Sequence, residues 1–145
     1  MTRTRACDYA EIRQYPDLLA EYAAECRNPL IGSPEPQWEM YAAMQAAGRL
    51  AVFVVEVDGE VAGFASVILS VLPHYGVKAA LVESLFVGKR WRGKGAGTVL
   101  LLAVHRAAKY SGSMALQYIA PAGSRMEKLL ERTADRTNSV FTIAL

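Results

Sequence analysis

Residues 79–97 carry the pattern that most narrows what this chain can become. Ala79 to Val87 reads as a buried strand, Thr98 to Lys109 as an amphipathic helix, and Arg90-Trp91-Arg92-Gly93-Lys94-Gly95-Ala96-Gly97 joins them. A strand feeding a glycine-rich turn that opens a helix gathers unpaired backbone N–H groups, and the positive end of the helix dipole, at one point. Gly93, Gly95 and Gly97 lack the Cβ that would hold an oxyanion away from the main chain. The turn is therefore expected to receive phosphate oxygens.

Spacing separates three phosphate-binding patterns. From Gly88 the chain runs four residues to Gly93-Lys94, as in a nucleoside-triphosphatase loop, but Gly95 stands where a Ser or Thr hydroxyl would ligate magnesium. Gly93-x-Gly95 begins a dinucleotide fingerprint, yet its sixth position is Thr98 and no early strand–helix–strand unit supplies the acidic residue. The third pattern, Arg/Gln-x-x-Gly-x-Gly/Ala, is met by Arg92, Gly95 and Gly97, with the strand Val82 to Val87 before it and Leu100-Leu101 behind.

On these residues the stretch Leu81 to Leu102 resembles the acetyl-CoA-binding core of the GNAT N-acetyltransferase family, and the order of elements along most of the chain is similar too. The resemblance implies an α/β (α+β) fold, with a mixed, mostly antiparallel central sheet of about six strands flanked by about four helices. In that family the turn amides hold the coenzyme pyrophosphate and the preceding strand pairs with the pantetheine arm. Carried over, Leu85, Phe86 and Val87 would meet the arm, and Arg92, Gly93, Lys94, Gly95, Ala96, Gly97 and Thr98 the pyrophosphate.

Composition bounds the rest. A length of 145 residues, 52% of them hydrophobic, suits one domain over 1–145 with a real core. The start, Met1-Thr2-Arg3-Thr4-Arg5, is charged, and the longest apolar region, Val61 to Leu72, is too short to span a bilayer, so a cytoplasmic protein with no membrane partner is expected. Cys7 and Cys26 lack metal-type spacing, which predicts reduced thiols, no metal site and no catalytic cysteine. The basic run Lys89 to Lys94 encloses Trp91, as a nucleic-acid patch would, but that reading leaves the glycines unexplained and no nucleic-acid partner is expected. Residues 1–62 hold five Arg against ten Asp or Glu, a net −5, whereas residues 63–145 hold eleven Lys or Arg against four acids, a net +7. The basic half suits coenzyme phosphates. The acidic helices either attract a cationic amine or are simply solvated.

Local signals place the elements. Arg3 to Cys7 reads as a short strand, and Pro16 opens a helix running to Arg27. Ser33-Pro34 looks like the cap and first turn of a second helix ending at Ala47, with Gly48 as its left-handed terminus. Leu50 to Val57 and Glu60 to Leu72 form a hairpin about Asp58-Gly59. Trp38 and Tyr41, three apart on the second helix, wall an acceptor pocket or pack the core, and His74 and Tyr75, in the loop between the third and fourth strands, are either ordinary loop residues or determinants of acceptor specificity.

Chemistry centres on Glu83. An amine with a pKa of about 10 must lose a proton before it attacks a thioester, and a carboxylate can take it. Polyamine acetyltransferases of the family carry a Glu in a similar position, so the resemblance implies Glu83 as general base. The alternative is a carboxylate that pairs with a nearby Arg or Lys. The family's usual acid, a tyrosine on the helix after the fifth strand, is missing: Leu129-Leu130 stands there, with Leu130 at the tyrosine's place. Tyr118 and Ser124 are the remaining candidates, the one otherwise a packing residue and the other an N-cap. His105, mid-helix, reads as a helix-surface residue.

Ser139 to Leu145 reads as a last strand, whose exposed edge predicts either a partner subunit in a homodimer or a shorter sheet. The function implied is direct acetyl transfer from acetyl-CoA to a small-molecule or peptide primary amine. The thioester would lie in the gap between the fourth and fifth strands, its carbonyl polarised by amides near Phe86 and Val87. A degenerate module that binds coenzyme or a partner without catalysis is the alternative; a nucleotide-binding regulator, with ATP preferred over coenzyme, is a third.

Overall fold

A computed structural model describes all of residues 1–145. In chain order it contains β1 (Thr2–Ala6), a 3₁₀ turn at Tyr9–Gln14, α1 (Pro16–Glu25), α2 (Trp38–Ala46), β2 (Leu50–Val57), β3 (Glu60–Leu72) and β4 (Val77–Val87). A second 3₁₀ turn at Lys89–Trp91, α3 (Ala96–Tyr110), β5 (Ala115–Tyr118) and α4 (Arg125–Thr133) follow. The five strands form one sheet in sequential order, antiparallel from β1 to β4 and parallel between β4 and β5.

Alternation along β2 sorts the core into two layers. Val55 and Val57 face α3, where they meet Ala65, Val67, Ala80 and Val82 from the sheet and Leu100, Val104 and Ala108 from the helix. Leu50, Val52 and Val54 face the other way, packing with Phe64 and Phe86 against Tyr9, Ile12 and Leu18. Period-two side-chain alternation is the physical cause: a strand covered on both faces buries both sets. The β2–β3 hairpin turns at Asp58 (φ 51°) and Gly59 (φ 88°), a pair of left-handed residues matched to strand twist. No helix is long and apolar enough to cross a membrane.

Two local expectations fail. Ser33 does not cap the second helix, which begins at Trp38 after Gln37. Pro34 and Pro36 disfavour helical backbone at the residues before them and postpone the start. Ser139 to Leu145 forms no strand, so the sheet has five strands rather than about six. β-Branched and aromatic residues make a strand only where a ladder receives them. Here β5 offers four residues, and Phe141 and Ile143 remain 90% and 83% exposed.

Candidate active site

The sheet opens where chemistry was expected. β4 and β5 pair in parallel from Ala79 opposite Ala115 to Val82 opposite Tyr118, and there β5 ends. β4 continues to Val87 with β3 as its one neighbour, so residues 83–87 present an open strand edge. Leu85, Phe86 and Val87 lie along that edge, directly before the glycine turn.

The turn's amides are free. The amide of Trp91 donates to Gly88 and that of Arg92 to Lys89, but none from Gly93 to Thr98 donates to any protein acceptor; the first helical bond is Val99 to the Gly95 carbonyl. Gly93 (φ 78°) and Gly95 (φ 81°) are left-handed, and Gly95 forms the N-cap of α3 without a side-chain acceptor. A Cβ built at 93, 95 or 97 would meet no protein atom within 4 Å. Six unpaired donors, a helix dipole and empty space above bare backbone are what a pyrophosphate needs, so the residues present fit acetyl-CoA.

Arg92 contributes differently from its neighbours. Its Nε donates to the Val87 carbonyl at 3.0 Å, its Nη2 to Glu25 at 2.7 Å, and its guanidinium lies 5.5 Å from the Phe86 ring centre. This side chain braces the turn against β4 and α1. Arg92 holds the Glu25 carboxyl below the usual carboxylate range, with a smaller contribution from Lys89. Glu21 accepts from the Lys89 amide at 2.9 Å, and Glu60 pairs with Arg90 at 2.6 Å. Glu21 and Glu25 of α1 thus anchor the basic turn, and part of the charge division between the two halves is met by contacts within the protein.

Glu83 stands apart from these pairs. Ser66 pairs with Ser84 and Val67 with Val82, so Glu83 is the extra residue of a β-bulge. Val82 and Leu85 both face α3, which forces Glu83 and Ser84 together toward the α1–α2 layer. Ser66 Oγ lies 2.6 Å from Ser84 Oγ and donates to Glu83 Oε2 at 2.6 Å; Tyr41 donates to Oε1. The carboxylate is half-buried and touches hydroxyls but no cation. Tyr41 stacks on Tyr9 with ring centres 3.9 Å apart, and Trp38 tilts against Tyr9 at 5.2 Å. Burial first, and the Glu83 charge second, pushes the Tyr9 hydroxyl up to about 12.

Ser66, Ser84 and the Tyr41 hydroxyl escaped the sequence reading. No period in the sequence marks the bulge: apolar residues occupy both parities on either side of Glu83-Ser84, from Ala79 to Val82 and from Leu85 to Val87, so the phase slip emerges only from the pairing with β3.

The remaining candidates lie apart. Tyr118 packs on the α3 face, opposite the face Glu83 occupies, with its hydroxyl 3.1 Å from His105 Nε2 and burial pushing it up to about 12. Ser124 caps α4, accepting from the Glu127 amide at 3.1 Å. Leu130 is on α4, which has no buried residue. Burial pushes the Cys7 thiol up to about 12 and raises Cys26, so neither is a thiolate near neutrality. Open depressions of about 400 Å³ beside Trp38 and Gln45, and about 420 Å³ beside Lys78 and Tyr110, include neither Glu83 nor the turn.

Comparison with solved structures finds this architecture repeatedly. Ribosomal-protein-alanine N-acetyltransferase from Brucella melitensis biovar Abortus 2308 superposes with a TM-score of 0.73 at 22% identity, over 98% of this chain and 99% of that one. Aminoglycoside acetyltransferase HMB0005 from an uncultured soil metagenomic sample gives 0.76 at 15% identity, over 100% and 99%. Glucosamine-6-phosphate N-acetyltransferase from Arabidopsis thaliana gives 0.68 at 18%, over 100% and 97%. No curated protein matches the sequence. At these identities the likeness is one of fold. The sequence itself matches the model of the acetyltransferase (GNAT) family over residues 15–133, which takes in the free-amide turn, the open β4 edge and the bulged glutamate. With most of its length inside that match and its fold shared, the chain belongs to the GNAT acetyltransferase family.

Proposed function

We propose that residues 1–145 form an acetyl-CoA-dependent N-acetyltransferase that acetylates a primary amine by direct attack, with Glu83 as general base. One observation carries this reading: Glu83 is a half-buried carboxylate without a cationic partner, set at the closed end of an open strand edge that leads to six free amides. Carboxylates buried without a counter-ion are costly and concentrate at functional sites. The amine-acetylating activities named for the structural neighbours agree with it.

The turn from Gly93 to Thr98 grips the pyrophosphate, and β4 from Leu85 to Val87 pairs with the pantetheine arm. Bound there, acetyl-CoA supplies the thioester that the amine attacks, an N–C bond forming as the C–S bond breaks. Glu83 takes the ammonium proton. Tyr118, protonated well above neutrality and level with Val82, donates a proton to the departing thiolate from the α3 face. A cationic acceptor, small molecule or peptide, is favoured because its ammonium is the first positive charge Glu83 meets. The open β5 edge and the exposed Phe141, Ile143 and Leu145 support a homodimer that covers them, which light scattering tests, and a cytoplasmic setting suits the chemistry.

The absent tyrosine at Leu130 favours a second reading, a coenzyme-binding module without catalysis. Thiol release measured over a panel of amines and peptides separates the two. Turnover that falls about 10²–10⁴-fold in Glu83→Gln, with coenzyme affinity kept, supports the enzyme. Coenzyme binding with no turnover on any acceptor refutes it.

A further inference from the structure

Glu83 accepts a hydrogen bond on each oxygen, and one donor comes from outside the sheet. Ser66 serves Oε2 from β3, but Oε1 is served by Tyr41, from α2. Tyr41 is itself held, its ring stacked on Tyr9 with an interplanar angle of 19°, and Tyr9 is anchored by its amide, which donates to Gln45 Oε1 at 2.8 Å. The 3₁₀ turn and α2 thus reach the carboxylate through a single hydroxyl.

We propose that Tyr41 is a positioning residue for the transfer: its hydroxyl aims the Glu83 carboxylate at the acceptor amine. The inference rests on Glu83 acting as base. An ionised carboxylate has about four acceptor sites, so Tyr41 and Ser66 fix its plane and leave positions for an ammonium. Without Tyr41, Glu83 pivots about Ser66 and no longer holds one aim.

The surroundings let the effect be read. The groups that face Glu83 are Tyr9 from the 3₁₀ turn, Tyr22 from α1, Tyr41 from α2, Ser66 from β3 and Ser84 from β4 itself. None is an Arg, Lys or His, and burial raises all three tyrosines, so none changes charge near neutrality.

Tyr41→Phe keeps the stacked ring and removes the hydroxyl. The expected result is a fall of about tenfold in kcat/KM for the acceptor at neutral pH, with coenzyme affinity unchanged. The loss falls in kcat with the acceptor KM held, and Ser66→Ala, which removes the donor on the other oxygen, gives a loss of the same kind. A packing role alone would lower the melting temperature and leave kcat in place. A Tyr41→Phe enzyme with the parent's kcat overturns the proposal. A Glu83→Gln enzyme with parental activity overturns the base assignment instead, and Tyr41→Phe in the Glu83→Gln background separates the two failures: no further loss supports a role exercised through Glu83, and an undiminished loss of about tenfold refutes it.

Discussion

Gly95→Ala separates the stability of the phosphate turn from its ligand chemistry. Gly95 is left-handed, with φ 81° and ψ −6°, and an added Cβ would meet nothing within 4 Å. The folded protein therefore suffers backbone strain without a clash. A left-handed L-residue costs about 1–2 kcal/mol. For a chain of this length that lowers the melting temperature by about 2–8 °C, leaving the protein folded at 25 °C. The ligand loses more. A turn shifted from its left-handed geometry misaims at least one amide that would meet a charged oxygen, and such bonds contribute about 1.5–3 kcal/mol. Coenzyme affinity, measured by calorimetry, should fall about 10- to 150-fold. Acetyl-pantetheine, which has no pyrophosphate, is the control, and its kcat/KM should change by no more than about twofold. Equal losses for both thioesters, or coenzyme affinity within about twofold of the parent, would refute the idea that these amides bind the pyrophosphate.

Three further outcomes follow from the packing. Gly63→Ala places a Cβ 2.3 Å from the Phe86 carbonyl oxygen and 3.0 Å from Val87 Cα, so it must push β3 from β4; a loss of about 2–3 kcal/mol or more in denaturant titration is expected, and a neutral result would show that the strands can separate freely. Tyr9 and Tyr118 are both raised to about 12 by burial, above their unfolded value of about 10, so their contribution is whole below pH 10 and is lost as pH climbs through 12. Difference absorbance of the parent against Tyr9→Phe and Tyr118→Phe should accordingly show tyrosinate from these two residues only as circular dichroism is lost, and ionisation of either near pH 10 in an intact fold would contradict it. Ser124→Ala removes the α4 cap at a cost of about 1 kcal/mol, but α4 buries no residue; hydrogen exchange should quicken in Arg125–Thr133 while the global melting temperature stays put.

Local rules carried the sequence a long way in some places and failed in others for identifiable reasons. Strands β2 and β3 lie where the alternation of Leu50–Val57 and Glu60–Leu72 put them, because Asp58-Gly59 admits one tight turn and the flanking pattern fixes the register. Ser124 capped its helix as its position implied, whereas Ser33 did not, because prolines close by outweigh a cap. The acidic surplus of the first half left two readings open, a cation-attracting surface and plain solvation. Charge counting is blind to partners, and Glu21, Glu25 and Glu60 proved to be holding the basic turn.

The sequence by itself determined the strand–glycine turn–helix unit, the hairpin and the family, since each depends on residues adjacent in the chain and on conformations that only certain side chains allow. Tertiary structure decided what surrounds Glu83. Tyr41 lies 42 residues away, Ser66 17 away, and their meeting requires a bulge that turns two successive side chains to one face. It also decided that the turn's amides stay unpaired and that the tail after α4 finds no strand to join. Periodicity specifies which face a residue takes, but long-range contacts arise only when several such faces close on one another, and that closure is a property of the packed sheet rather than of any segment within it.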